Sequence, residues 1–119
     1  MKYRIDAIPP TNNKYIGRNE RWKYQEVKKE WQEMIYYLCR PKPSKPYQKA
    51  TVKITYHFKD DLRRDPDNYS GKFILDGLVR AGILADDSFD CITLVLCKGE
   101  KDTKNPHTII EVIEDASTN

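Results

Sequence analysis

The chain has 119 residues, 39% of them hydrophobic and 33% charged, with a formal net charge of +3. That size predicts one domain able to bury a core without disulfides or a structural metal, and the composition excludes a disordered chain. No apolar run approaches the roughly 18 to 20 residues of a membrane span, and Met1–Asp6 lacks the apolar stretch of a secretory signal, so the expectation is a cytoplasmic protein with no membrane partner. Cys39, Cys91 and Cys97 are odd in number and include no C-x-x-C pair, which argues against a disulfide framework or a zinc ribbon and for reduced thiols.

In chain order, alternation over residues 2–8 predicts a short strand with Tyr3, Ile5 and Ala7 on one face. Pro9-Pro10 ends it. A long helix is predicted over residues 20–39, where Trp22, Val27, Trp31, Met34, Ile35 and Leu38 recur at helical spacing. Both tryptophans are expected in the core rather than as platforms for bases. Three prolines between Pro41 and Pro46 predict an extended connection. Residues 50–59 alternate most cleanly, with Val52, Ile54, Tyr56 and Phe58 facing the core.

A second helix is predicted over residues 68–81, burying Phe73, Ile74, Leu78 and Ala81 and stopping at Gly82. Residues 91–98 and 107–114 read as two strands joined by a polar hairpin loop over 99–105. The expected fold is a single α+β domain over residues 1–119, with a four-stranded mixed sheet and two principal helices.

The chemistry concentrates after the clean strand, in Arg63-Arg64-Asp65-Pro66-Asp67-Asn68. In an extended segment, carboxylates two residues apart share a side, so Asp65 and Asp67 are expected to reach one cation, with Asp87 approaching from the end of the following helix. Oxygen ligands of this kind suit a hard divalent ion, Mg²⁺ with Mn²⁺ as a substitute, and such an ion activates water and polarises a phosphate. The plainer alternative is that Asp65 or Asp67 caps the helix. An EF-hand is excluded, because Tyr69 holds the fifth position of the frame and the glycine is Gly71. Lys72 is placed to meet a phosphate or, more plainly, to pair with Asp76 four residues on. Arg63 and Arg64 are expected as phosphate contacts rather than core ion pairs.

Four blocks together resemble the RusA family of Holliday junction resolvases: Pro9-Pro10-Thr11-Asn12-Asn13-Lys14-Tyr15, Arg64-Asp65-Pro66-Asp67-Asn68, Leu75-Asp76-Gly77-Leu78 and Leu84-Ala85-Asp86-Asp87-Ser88. The resemblance implies a small homodimeric endonuclease of phages and prophages that cuts four-way DNA junctions with Mg²⁺. It places the metal on Asp65, Asp67 and Asp87 and the catalytic lysine on Lys72. One departure is that Gly71 stands where the family's lysine falls, with Lys72 one position later.

Charge supports a DNA partner. Residues 1–59 carry 14 lysines and arginines against 5 acidic residues, and residues 60–119 carry 7 against 13. A basic half can neutralise phosphates while an acidic half holds metal, and shape rather than base edges would select a branched duplex. Lys14, Arg18, Arg21, Lys23, Arg63 and Arg64 are the candidate DNA contacts. A junction's near two-fold symmetry matches a C2 dimer. The alternatives are a branched-DNA-binding protein that does not cut, and a metal nuclease acting on other DNA structures.

Overall fold

The computed structural model describes residues 1–11, 21–69 and 71–115. Its elements are β1 (Lys2–Ile5), α1 (Arg21–Leu38), β2 (Ala50–His57), a 3₁₀ turn (Pro66–Tyr69), α2 (Lys72–Arg80), β3 (Ile92–Lys98) and β4 (His107–Glu114). The strands form one mixed sheet in the order β1-β4-β2-β3. β4 is antiparallel to both β1 and β2, and β3 is parallel to β2. The result is the single α+β domain with two helices that the periodicities predict.

Alternation does the work in β2. Val52, Ile54 and Tyr56 are buried on the face the helices cover, joined in register by Val112, Ile110 and Thr108 of β4. Tyr3 and Ile5 extend that face across β1, opposite Ile110 and Thr108. α1 contributes Trp31 and Ile35, and α2 contributes Phe73, Ile74, Leu75 and Leu78. Each fully buried aliphatic side chain of this kind stabilises the fold by about 1.5–3 kcal/mol. The helices touch at Gly77, where a Cβ would stand 2.6 Å from Ile35 Cδ1 and 3.2 Å from Ile35 Cβ. A Cβ there would force Ile35 Cδ1 to another rotamer and Ile35 Cβ to give by a few tenths of an ångström.

Several expectations are corrected. β1 ends at Ile5, ahead of the prolines, and Ala7 is only partly buried. Trp22 and Leu38 are exposed, at 59% and 56%, because α1 lies on the surface and its buried stripe is narrower than the apolar spacing suggests. The Lys23 ammonium lies 5.7 Å from the centre of the Trp22 ring. The connection after α1 is tied down, with the Tyr3 hydroxyl donating to the Pro41 carbonyl and Tyr47 bridging to Leu84.

The expected hairpin between the last two strands does not form. β3 lies on one side of β2 and β4 on the other, so residues 99–106 cross the end of β2. Gly99 and Asp102 donate backbone N–H bonds to the Tyr56 and Phe58 carbonyls on the way, and Lys101 pairs with Asp61 at 3.0 Å. The imidazoles of His57 and His107, opposite each other across β2 and β4, stack at 4.4 Å under this crossing. Nδ1 of His57 is 2.7 Å from the Glu100 carbonyl oxygen, which holds the crossing against the strand.

Candidate nucleic-acid and metal site

Past His57 the chain leaves the sheet through Phe58 and turns back over it. Arg64 anchors this return. Its guanidinium lies 4.3 Å from the Phe58 ring centre, donates to the Asp60 and Leu62 carbonyls and pairs with Asp60 Oδ1 at 2.8 Å. A planar donor fork stacked on an aromatic ring and satisfied by two carbonyls is a structural clamp. The expectation of Arg64 as a freely exposed phosphate contact is therefore revised: its Nη1 is spent on the loop, and only 17% of its side chain is exposed. Its hydrogen bond holds the Asp60 carboxyl below the usual carboxylate range, helped by the Leu62 N–H.

That shift carries a pH dependence. A carboxyl whose folded value lies below its ordinary 3.8 contributes its stabilisation fully above that pH and loses it as pH falls through the lowered value. The clamp is thus expected to persist at neutral pH and to loosen only below about pH 4. Limited proteolysis across residues 60–65 as a function of pH checks this. Arg64→Ala should produce the same loosening at pH 7, costing about 1–3 kcal/mol in thermal unfolding through the lost stacking and charge-assisted bonds.

The acidic segment is a turn. Pro66, whose fixed φ suits a first helical position, opens the 3₁₀ turn Pro66–Tyr69, and the Asn68 N–H bonds to the Asp65 carbonyl at 3.0 Å. Asp65 stands just before this turn and Asp67 inside it, so the extended arrangement expected to align the two carboxylates is absent. Neither caps α2: the N-cap is Gly71 at φ +79°, with no side-chain cap. Only glycine adopts that angle without strain, and a Cβ there would meet Ile54 Cδ1 at 2.8 Å. Asp65 and Asp67 are both exposed, and Arg63 reaches Asp65 Oδ1 at 3.4 Å with 90% of its own side chain exposed. A pair so open is worth little to stability and leaves Arg63 available to a phosphate.

Beside the turn is a shallow cradle lined by Tyr56, Phe58, Asp65, Tyr69, Cys97 and Lys98, among others. Tyr69 packs on Tyr56 and Phe58, with ring centres 5.7 and 5.1 Å apart. Lys98 enters because β3 pairs in parallel with β2, bringing it beside Tyr56. In the sequence Phe58 is marked only as a core residue, and neither Tyr69 nor Lys98 is marked as part of a site; Lys98 is found only once β3 is paired in parallel with β2.

Lys72 opens α2, and its ammonium lies 3.7 Å from Asp76 Oδ2, the ion pair expected at i,i+4. Lys28 of α1 approaches the same oxygen at 3.7 Å. Asp76 Oδ2 is buried and has no hydrogen bond, so these two ammonium groups supply its compensation. Arg21 and Lys23 lie exposed at the start of α1. Lys14 and Arg18, with the Asn12–Tyr15 part of the first block, lie outside the described residues.

Asp87 is not brought to Asp65 and Asp67 within the chain. α2 carries the chain back along the sheet, and its nine residues span about 13 Å. Ala85 donates to the Tyr47 carbonyl and Ala50 to the Cys91 carbonyl, which sets Asp86-Asp87 near the start of β2 and β3. Asp65 lies beside Lys98, at the other end of both strands, six residues or about 20 Å away. Among the described residues no three His, Cys, Asp or Glu side chains group closely enough to hold a metal ion. The parallel connection is the reason, since it delivers the chain to the end of the sheet opposite the one it left.

Burial sorts the thiols. Cys39 is fully buried, which pushes its thiol up to about 12, whereas Cys91 and Cys97 are partly exposed. Neither a scan against protein-family models nor a search of curated proteins matches this chain.

Proposed function

We infer that the protein is a Mg²⁺-dependent, structure-selective endodeoxyribonuclease that resolves four-way DNA junctions by paired symmetric nicks, acting as a homodimer. The observation that carries this reading is the solvent-open Asp65–Asp67 turn, set at one end of the sheet between Arg63 and Lys98 and backed by the Phe58–Tyr69 cradle. Cations that are not consumed by structural pairs attract a phosphodiester, and exposed carboxylates beside them repel it unless a divalent ion intervenes. The four sequence blocks that resemble RusA resolvases add the substrate class.

One subunit does not assemble the three aspartates into a metal group, so this reading requires a second copy to bring its Asp86-Asp87 turn alongside Asp65 and Asp67. The same non-convergence favours a second reading, a protein that binds branched DNA without cutting it. Incubating a labelled synthetic four-way junction with the protein in Mg²⁺, Mn²⁺ or EDTA separates the two. Symmetric nicks that need the metal and are absent from linear duplex support the resolvase. Retained junction binding with no cutting in any divalent ion leaves the binding protein.

A further inference from the structure

We propose that Tyr36 and Tyr37, at the end of α1, form a stacking platform for the bases of an unpaired nucleic-acid strand, bordered by Arg40, Lys42 and Arg80. The proposal extends the DNA reading above to a second surface and to single strands. Its test is binding without metal, so nuclease activity does not bear on it.

α1 buries Trp31 and Ile35 but leaves its last three residues in water. Tyr36, Tyr37 and Leu38 are 45%, 66% and 56% exposed. Neighbouring large apolar side chains left in solvent mark a contact surface. The two tyrosines line a groove with Gln32 and Glu33 of α1 and Arg80 of α2. None of these residues belongs to the four sequence blocks that carry the resemblance.

Local contacts hold the rings in place before any ligand arrives. They meet edge to face, with centres 5.1 Å apart and 80° between their planes. The Lys42 ammonium lies 3.8 Å from the centre of the Tyr36 ring and covers one of its faces. Arg40 Nε donates to the Tyr37 carbonyl at 3.3 Å, which keeps this guanidinium at the end of the helix. Tyr37, the more exposed of the two, presents the open ring. A ring braced in this way has little rotamer freedom left to lose when a base stacks on it.

Charge selects the ligand. Lys42 already sits on Tyr36 as a bound cation would, so the patch is not a cage for a cationic ligand. Arg40 and Arg80 are exposed, and with Lys42 they set three cations around the groove against the single carboxylate of Glu33. Such a surface attracts a polyanion. A polyanion that also carries flat apolar rings is a nucleic acid, and its base faces are open only where the strand is unpaired. α2 spans about 13 Å between Lys72 and Arg80, so the platform lies apart from the Asp65–Asp67 turn, which precedes the other end of that helix.

Two measurements, both in EDTA, test this on the whole chain. Fluorescence anisotropy at low salt should show binding of a labelled oligothymidylate of about a dozen nucleotides. Tyr37→Ala should weaken it on the order of 10-fold, the loss of one stacked base, whereas Tyr37→Phe should keep it because the ring face remains. Arg80→Gln should lower the slope of log affinity against log salt by about 0.7. With 5-iodouracil in place of thymine, irradiation should cross-link the unsubstituted protein at Tyr36 or Tyr37 in a peptide map. A folded Tyr37→Ala that binds the oligonucleotide undiminished overturns the proposal and leaves the patch to a protein partner. A cross-link that maps elsewhere, no binding at all, or a duplex that competes as well as the single strand overturns it too. Tyr37-dependent binding by a protein that cuts no junction would sink the resolvase reading and keep this one.

Discussion

If the protein resolves junctions as proposed, Asp67→Asn is expected to abolish junction cleavage while junction binding persists. Asp67 is exposed on the 3₁₀ turn, so the isosteric amide should leave stability within about 0.5 kcal/mol. The loss in rate should be about 100- to 1,000-fold, the several kcal/mol of transition-state charge stabilisation that one carboxylate helps a metal supply. Binding should tighten slightly, because a negative charge leaves the surface proposed to meet phosphate. Junction nicking and gel-shift assays on the same preparation check both halves. Asp87→Asn should be equally inactive if the site is shared between copies. A mixture of the two inactive variants should then recover activity, because one of the two sites in a mixed dimer keeps all its aspartates. No recovery would show that the site is not shared between copies, and an active Asp87→Asn would place Asp87 outside it.

Ile54→Ala should carry a large stability cost. Ile54 is fully buried on a strand bonded on both sides, beneath the Gly71 turn that starts α2. Truncation removes three methyl or methylene groups from a place whose neighbours are fixed by the sheet ladder, so the cavity cannot collapse. The expected loss is about 2–5 kcal/mol. Against a domain's usual total of about 5–15 kcal/mol, that is enough to bring the unfolding midpoint far down in urea. Because Gly71 sits on the lost methyl, the acidic turn should also become protease-sensitive below the global transition.

Where local periodicity decides structure, the sequence was sufficient. The alternation from Val52 to Phe58 gives β2, and the Phe73–Ile74–Leu78 spacing gives α2. Pairing is another matter. β3 is apolar on both faces, so its pattern does not distinguish a hairpin partner of β4 from a parallel neighbour of β2. A polar connection of eight residues suits a hairpin equally well; the bonds from Gly99 and Asp102 to β2 that carry it across the sheet join residues more than forty positions apart. The same distance effect limits the site. The acidic turn is written contiguously and was legible, whereas Lys98 arrives through strand pairing. Arg64 read as a free cation because the ring it covers, Phe58, lies six residues upstream in the core pattern. Asp87 was misplaced relative to Asp65 because proximity along the chain ignored the length of the intervening helix.

The strand order also predicts an order of assembly. β2, α2 and β3 form one contiguous segment, and the parallel β2–β3 pair can close with a loop of about forty residues. β4 joins β2 next. β1 is expected last, since it has only four residues and finds its place beside β4 more than a hundred positions away. Loop-closure entropy grows with separation, and a short strand recovers little of it. Amide hydrogens of β1 should therefore exchange through a partial opening that leaves β2, β3 and β4 paired, making the first strand of the sequence the latch of the sheet.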